Sequence, residues 1–219
     1  MSRVFRSPMA FTRVAAALLA IGAVTAQADE ASDIAHLQTR WAEVKYQLPA
    51  TEQEKAFALL VAEAEVLSSA NAKQPAYLIW EGIIRSTYAG AKGGLGALGE
   101  VKRAKVLFEQ AIKIDPAAMA GSAYTSLGSL YYQVPGWPVG FGDDKEAEKL
   151  LAKGLTLNPN GIDSNFFYAD FLYEEDRYAE AMRVFEKALV APPRPGREAA
   201  DAGRRAEINE KLSLVREKI

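Results

Sequence analysis

The chain has 219 residues, with 26 Lys and Arg against 28 Asp and Glu, a single histidine and no cysteine. That composition excludes disulfides and thiol chemistry, and a lipid-modified cysteine anchor is not expected. The mildly acidic balance gives nucleic acid and anionic membrane surfaces no electrostatic reason to bind, and the length suits one continuous core.

The first 28 residues read as a signal peptide. Arg3, Arg6 and Arg13 make a basic start, residues 14–24 are uniformly apolar, and Ala26, Gln27 and Ala28 supply an A-x-A cleavage signal. The apolar run is far shorter than the ~20 residues that a membrane-spanning helix needs. A mature chain from Asp29, without a membrane anchor and released into a bacterial periplasm, is therefore expected. Removal of the three arginines leaves 23 basic against 28 acidic residues and a net charge of −5.

Residues 29–219 are predicted to form one helical domain. Ile34, Leu37, Trp41 and Val44 recur at helical spacing, as do Phe57, Leu60, Ala64 and Leu67, which predicts a helix pair over 31–70. Three units follow, at about 75–118, 121–161 and 162–195. Their second halves repeat one pattern: Ala104, Phe108, Ala111 and Pro116; Ala147, Leu151, Gly154 and Pro159; Ala181, Phe185, Ala188 and Pro193. The last two sets stand 34 residues apart. Small residues at two positions let neighbouring helices approach, the large residue fills the groove between them, and the proline follows the helix end. The first-half pattern is clearest as Tyr124, Leu127, Gly128 and Tyr131, and returns as Asn165, Tyr168, Ala169 and Leu172. Leu78 and Gly82 fit it in the first unit.

Two insertions interrupt the units between their paired helices. Ten extra residues enter the first around the glycine-rich stretch 89–99. Seven enter the second with 134–142, which holds Trp137 and Phe141. Both should lie on one edge of the molecule. Gly94, Gly96 and Gly99 match a dinucleotide-binding spacing, but no strand is predicted before them, so no cofactor is expected. Asp143 and Glu146 are spaced as a capping box for the next helix. Trp137 and Phe141 either pack their loop down or face a ligand. After the proline-rich 192–195, residues 198–219 carry Ile208, Leu212, Val215 and Ile219 on one face of a helix that reads as the cap of an open-ended stack. His36 has no nucleophile or ligand spacing around it, so neither catalysis nor a metal site is expected.

The repeated pattern resembles the tetratricopeptide-repeat (TPR) family over residues 75–193. The resemblance implies an all-α fold, a right-handed solenoid of helical hairpins whose first helices line a concave groove. Carried over position by position, the groove comprises Ser122, Thr125, Ser129, Tyr132 and Gln133 in the second unit, and Asp163, Phe166, Asp170, Tyr173 and Glu174 in the third. With Trp137 and Phe141 as a rim, Thr125, Ser129, Tyr132, Gln133, Phe166, Asp170 and Tyr173 are the expected binding residues. The set lacks the basic cluster that clamps a peptide carboxylate, and suits an uncharged peptide segment or a small ligand. Within the family, Pro135, Gly140, Gly142, Asp143, Asp144, Lys145, Glu146 and Ala147, with the tail 191–195, look like the T component of tripartite ATP-independent periplasmic (TRAP) transporters. That likeness implies an interaction or scaffold protein partnered with a periplasmic solute-binding protein, and one that holds a hydrophobic ligand in an internal channel. The alternative is a carrier acting alone on a small hydrophobic or polar ligand.

Overall fold

The computed structural model describes residues 11–219 except residue 95, with side chains from Asp29 onward. The signal-peptide reading concerns residues 1–28, and of these 1–10 and the side chains of 11–28 lie outside the described residues. Among the described residues the chain is all α-helix: α1 (Phe11–Gln47), α2 (Ala50–Ala70), α3 (Pro75–Lys92), α4 (Ala97–Ile114), α5 (Ala118–Gln133), α6 (Asp144–Leu157), α7 (Ile162–Glu174), α8 (Tyr178–Leu189) and α9 (Glu198–Arg216). None of them is long and apolar enough to cross a membrane.

Each helix packs mainly on its neighbours in sequence, as helical hairpins do. The repeated small and large residues are the cause. Ala104, Phe108, Ala111, Ala147, Leu151, Ala181, Phe185 and Ala188 are essentially without solvent exposure. On the partner helix a glycine faces Phe108 and another faces Leu151: a Cβ on Gly82 would lie 2.5 Å from the Phe108 ring. One on Gly128 would lie 2.7 Å from Leu151 Cγ and 3.0 Å from its backbone nitrogen. A fully buried Phe185 contributes about 2–3 kcal/mol of transfer free energy.

The odd-numbered helices do more than pair with the even ones. Contacts run from α1 to α3, α3 to α5, α5 to α7 and α7 to α9, and then from α9 back to α1. Among the described residues the backbones of α2, α4, α6 and α8 pack only on the helix before and the helix after, so they form an outer layer around an inner ring of five. Helix α9, expected as a terminal cap, does pack on α8 with Ile208, Leu212 and Val215 buried. It also reaches the start of the fold: Tyr46 Oη donates to Glu207 at 3.2 Å, Lys45 pairs with Glu207 at 3.5 Å, and the Tyr46 ring lies where a Gly203 side chain would stand. Ala200 joins the core made by α1, α2 and α3.

The insertions are accommodated in different ways. Most of the glycine-rich one is helix, because α3 runs on to Lys92 and α4 starts at Ala97; only 93–96 connect them. Ala97, Leu98 and Gly99, the end of the glycine-rich stretch 89–99, already belong to α4. Helix, not strand, precedes Gly94, Gly96 and Gly99. The second insertion is a true loop held by its own hydrogen bonds, Gly142 N to Pro135 O at 3.1 Å and Asp143 N to Tyr131 O at 2.9 Å. Gly140 and Gly142 are needed there because a side chain would strike the carbonyls of Pro135 and Val134. Asp143 caps α6, accepting from Lys145 N and Glu146 N at 3.0 and 3.1 Å. The capping box is half of what was expected: the Asp143 amide is taken by Tyr131, and Glu146 turns to Lys149 instead. The two insertions do meet, with Gly90, Gly94 and Leu98 facing Pro135 and Val139 across a shallow recess.

Candidate functional site: a cavity inside the helix ring

The inner ring borders a partly open cavity of about 170 Å³ to which α1, α3, α5, α7 and α9 all contribute. Trp41 and Trp80 form one wall, edge to face with ring centroids 6.3 Å apart. Trp41 Nε1 donates to Thr87 Oγ1 at 2.9 Å, whereas Trp80 Nε1 is buried without an acceptor. Ser122, Thr125, Ser126 and Ser129 line the α5 side, and Ile162, Asp163 and Phe167 the α7 side. Within the first turn of α5, residues Met119, Ala120 and Gly121 kink the helix with left-handed backbone angles, φ of 48°, 52° and 77°. This geometry is strained for the two non-glycine residues and turns the chain onto the cavity, which Met119 and Ala120 line.

The remaining wall is basic. Arg194, Arg197 and Arg204 face a single carboxylate in the lining, Asp163. Buried Asp201 in the first turn of α9 organises this side: it accepts from the Arg194 amide at 2.9 Å and from Arg194 Nε at 2.7 Å, which pins residues 194–201 together. Arg194 also reaches Asp163 at 2.7 Å. Arg204 donates from Nε to Asp163 at 2.9 Å and from a terminal nitrogen to Glu207 at 2.6 Å, and lies 4.1 Å from the centroid of Phe166 and 4.8 Å from that of Phe167. Burial alone would raise the Asp163 carboxyl, but Arg204 and Arg194 outweigh it and hold the group at about 2. Arg197 is different. Its guanidinium lies 5.1 Å from the Trp80 ring centroid, its Nε is buried without an acceptor, and among the described residues no carboxylate pairs with it. Burial and the neighbouring Arg194 both pull its ionisation downward, although a guanidinium stays charged at neutral pH.

The residues expected to form the groove divide among several environments. Thr125 and Ser129 line the cavity. Tyr132 donates to Asp170 at 2.7 Å and accepts from Gln133 at 3.0 Å, and Lys211 of α9 pairs with Asp170 at 2.6 Å. Burial, then the Asp170 charge and hydrogen bond, push the Tyr132 hydroxyl well above its ordinary value. Tyr173 lies under Lys211, 4.9 Å from the ring centroid. Helix α9 therefore covers the Asp170 and Tyr173 end of the expected groove. Phe166 is core, packed on Phe167 and Phe185. Phe141 packs its loop down, edge to face on Tyr131 at 5.4 Å. Trp137 is 89% exposed and lies outside the cavity lining. His36 is on the surface, bonded to Glu63 at 2.7 Å.

Trp41, Trp80 and the arginines of 194–204 were not expected in the site. One signal pointed to them: four arginines, Arg194, Arg197, Arg204 and Arg205, fall within twelve residues of an otherwise acidic chain. Among the described residues no group of acidic, histidine or cysteine side chains converges as a metal site. In comparisons with known proteins, no family model matches the chain and no curated protein matches it.

Proposed function

We propose that this protein is an exported tetratricopeptide-repeat binding protein that holds a small ligand in the cavity inside its helix ring. The observation that carries this reading is the contact of α9 with both α7 and α1, which narrows an open groove to a partly open, polar and aromatic recess. An extended peptide needs an open channel, and Lys211 lies across the Asp170 and Tyr173 end of this one. A cavity with apolar walls and a few converging polar groups is the usual form of a small-molecule site.

A protein partner is a second reading, favoured by the loop 135–142, where Trp137 and Val139 stand exposed beside the glycine insertion. The likeness of this loop to the transporter T component supports a periplasmic solute-binding protein as that partner. The two readings are compatible if a ligand is received at one surface and held in the cavity.

Expression with the native N-terminus, isolation of the exported fraction and mass spectrometry under native and denaturing conditions test both. A mature chain starting at Asp29 that releases a small molecule on denaturation is the expected result. Ser129→Trp, which fills the cavity, should abolish that release. A stable protein complex carrying no small molecule would transfer the proposal to the scaffold reading.

A further inference from the structure

The geometry points to the chemical class of the ligand: a small organic monoanion, a carboxylate on an aromatic or apolar body, whose charged group is held by Arg197 in the cavity. This rests on the small-ligand reading above and deepens it.

The basic wall is neutralised selectively. Arg194 has Asp163 and Asp201, and Arg204 has Asp163 and Glu207. Arg197 makes no ion pair among the described residues: Asp163 and Asp201 act on it only from beyond contact, it is partly withdrawn from solvent, and its Nε is buried without an acceptor. Of the hydroxyls in the lining, Ser86 and Ser129 donate to backbone carbonyls of their own helices, at 2.7 and 2.8 Å. A charge left unmatched in a confined space is costly unless a ligand matches it, and a carboxylate does so with charge-assisted bonds. Next to Arg197, the Trp80 indole N–H is a second donor without an acceptor, in a side chain that is 3% exposed.

The rest of the lining sets the body of the ligand. Trp41, Trp80, Ile83 and Phe167 are apolar surfaces that an inorganic phosphate or sulfate would leave uncovered, and Asp163 would repel a second negative charge. The volume sets the size: a cavity of roughly 150 Å³ accepts benzene, and this one is about 170 Å³. A single ring or short chain bearing one carboxylate fits.

The test is titration of the mature protein with benzoate and 3-phenylpropionate, each against its neutral amide of the same shape, followed by tryptophan fluorescence and calorimetry. At least one acid should bind about tenfold or more tightly than its amide, the difference expected of one charge-assisted contact. The preference should disappear in Arg197→Gln and persist in Arg177→Gln, which alters an outer ion pair with Glu148 and Glu180. Acids and amides binding equally well to the unmodified protein would overturn the anion assignment while leaving the small-ligand reading in place. No binding of any of the four probes would overturn both. Undiminished acid preference in a folded Arg197→Gln protein would remove Arg197 from the site. Should that variant not fold, Trp80→Phe provides the second measurement: it keeps an aromatic face and removes the donor, so acid affinity should fall several-fold more than amide affinity.

Discussion

Glu81 and Arg197 are both charged side chains withdrawn from bulk water, and the protein surrounds them in opposite ways. Glu81, on α3, has no solvent exposure at all. It accepts from Arg85 Nε at 2.7 Å and from the Ser68 hydroxyl, and Arg103 stands 3.8 Å away. Arg85 continues to Glu65 at 2.8 Å and Glu100 at 2.7 Å, so one connected cluster ties α2, α3 and α4 together. Every charge in it has a partner. Arg197 lies on the inner side of the ring with its guanidinium against the face of Trp80 and no carboxylate of its own. A satisfied cluster of buried charges fixes how helices dock, whereas a charge without a contacting partner beside a cavity is available to a ligand.

The largest expected effect breaks the satisfied cluster. Arg85→Met leaves Glu81 buried and deprived of its principal partner and should cost about 3–5 kcal/mol, the usual penalty for removing one member of a buried pair. Urea denaturation measures it. Adding Glu81→Met to the same chain should recover most of the loss, because the pair as a whole contributes little beyond an apolar replacement. A double variant as unstable as Arg85→Met would mean that the cluster does more than balance its own charges.

Asp163 tests the neutralised part of the cavity wall. Its folded-state value of about 2 lies below the ordinary 3.8, so its contribution is present above pH 4 and is lost as pH falls through 2. Its carboxylate is 35% exposed, so the effect is discounted to about 1–2 kcal/mol. Asp163→Asn should lower stability at pH 7 by that amount and flatten the dependence between pH 4 and 2, as followed by denaturation at a series of pH values. An unchanged acid profile would indicate that Arg194 and Arg204 are held by Asp201 and Glu207 alone.

Arg197→Met is expected to change stability by no more than about 1 kcal/mol, since no ion pair or hydrogen bond is lost and only the contact of the guanidinium with the Trp80 face goes. A melting temperature lowered as far as that of Arg85→Met would place Arg197 among the structural charges. The smallest effect belongs to Trp137→Ala: with the side chain 89% exposed, folding stability should be unchanged within about 0.5 kcal/mol. A measurable loss in differential scanning calorimetry would show that the loop depends on the ring for its packing.

The contrast also shows which features were legible in the sequence. Phe108, Leu151 and Phe185 were recognisable as core because close helix packing demands small residues at fixed offsets from a large one, and that demand is met locally along each helix. Asp143 was recognisable as a cap for the same reason: its partners lie two and three residues ahead. Glu81 and Arg85 gave little sign of burial, since their neutralisation needs Ser68, Glu65 and Glu100 from two other helices. Of the residues assigned to a groove, Thr125 and Ser129 line the cavity, whereas Phe166 lies in the core and Asp170 is taken by Tyr132 and Lys211.

By itself, the sequence determined that this chain is helical, that its helices pair in order, and which face of each outer helix is buried. These follow from periodicity and from the steric fit of neighbours a few residues apart. Only the tertiary structure decided that α9 returns to α1, through Tyr46, Gly203 and Glu207, and so made a cavity of what the repeat pattern presents as an open surface. Residues separated by 161 positions meet there. No local spacing encodes such a meeting, because it depends on the angles accumulated through every helix packing in between.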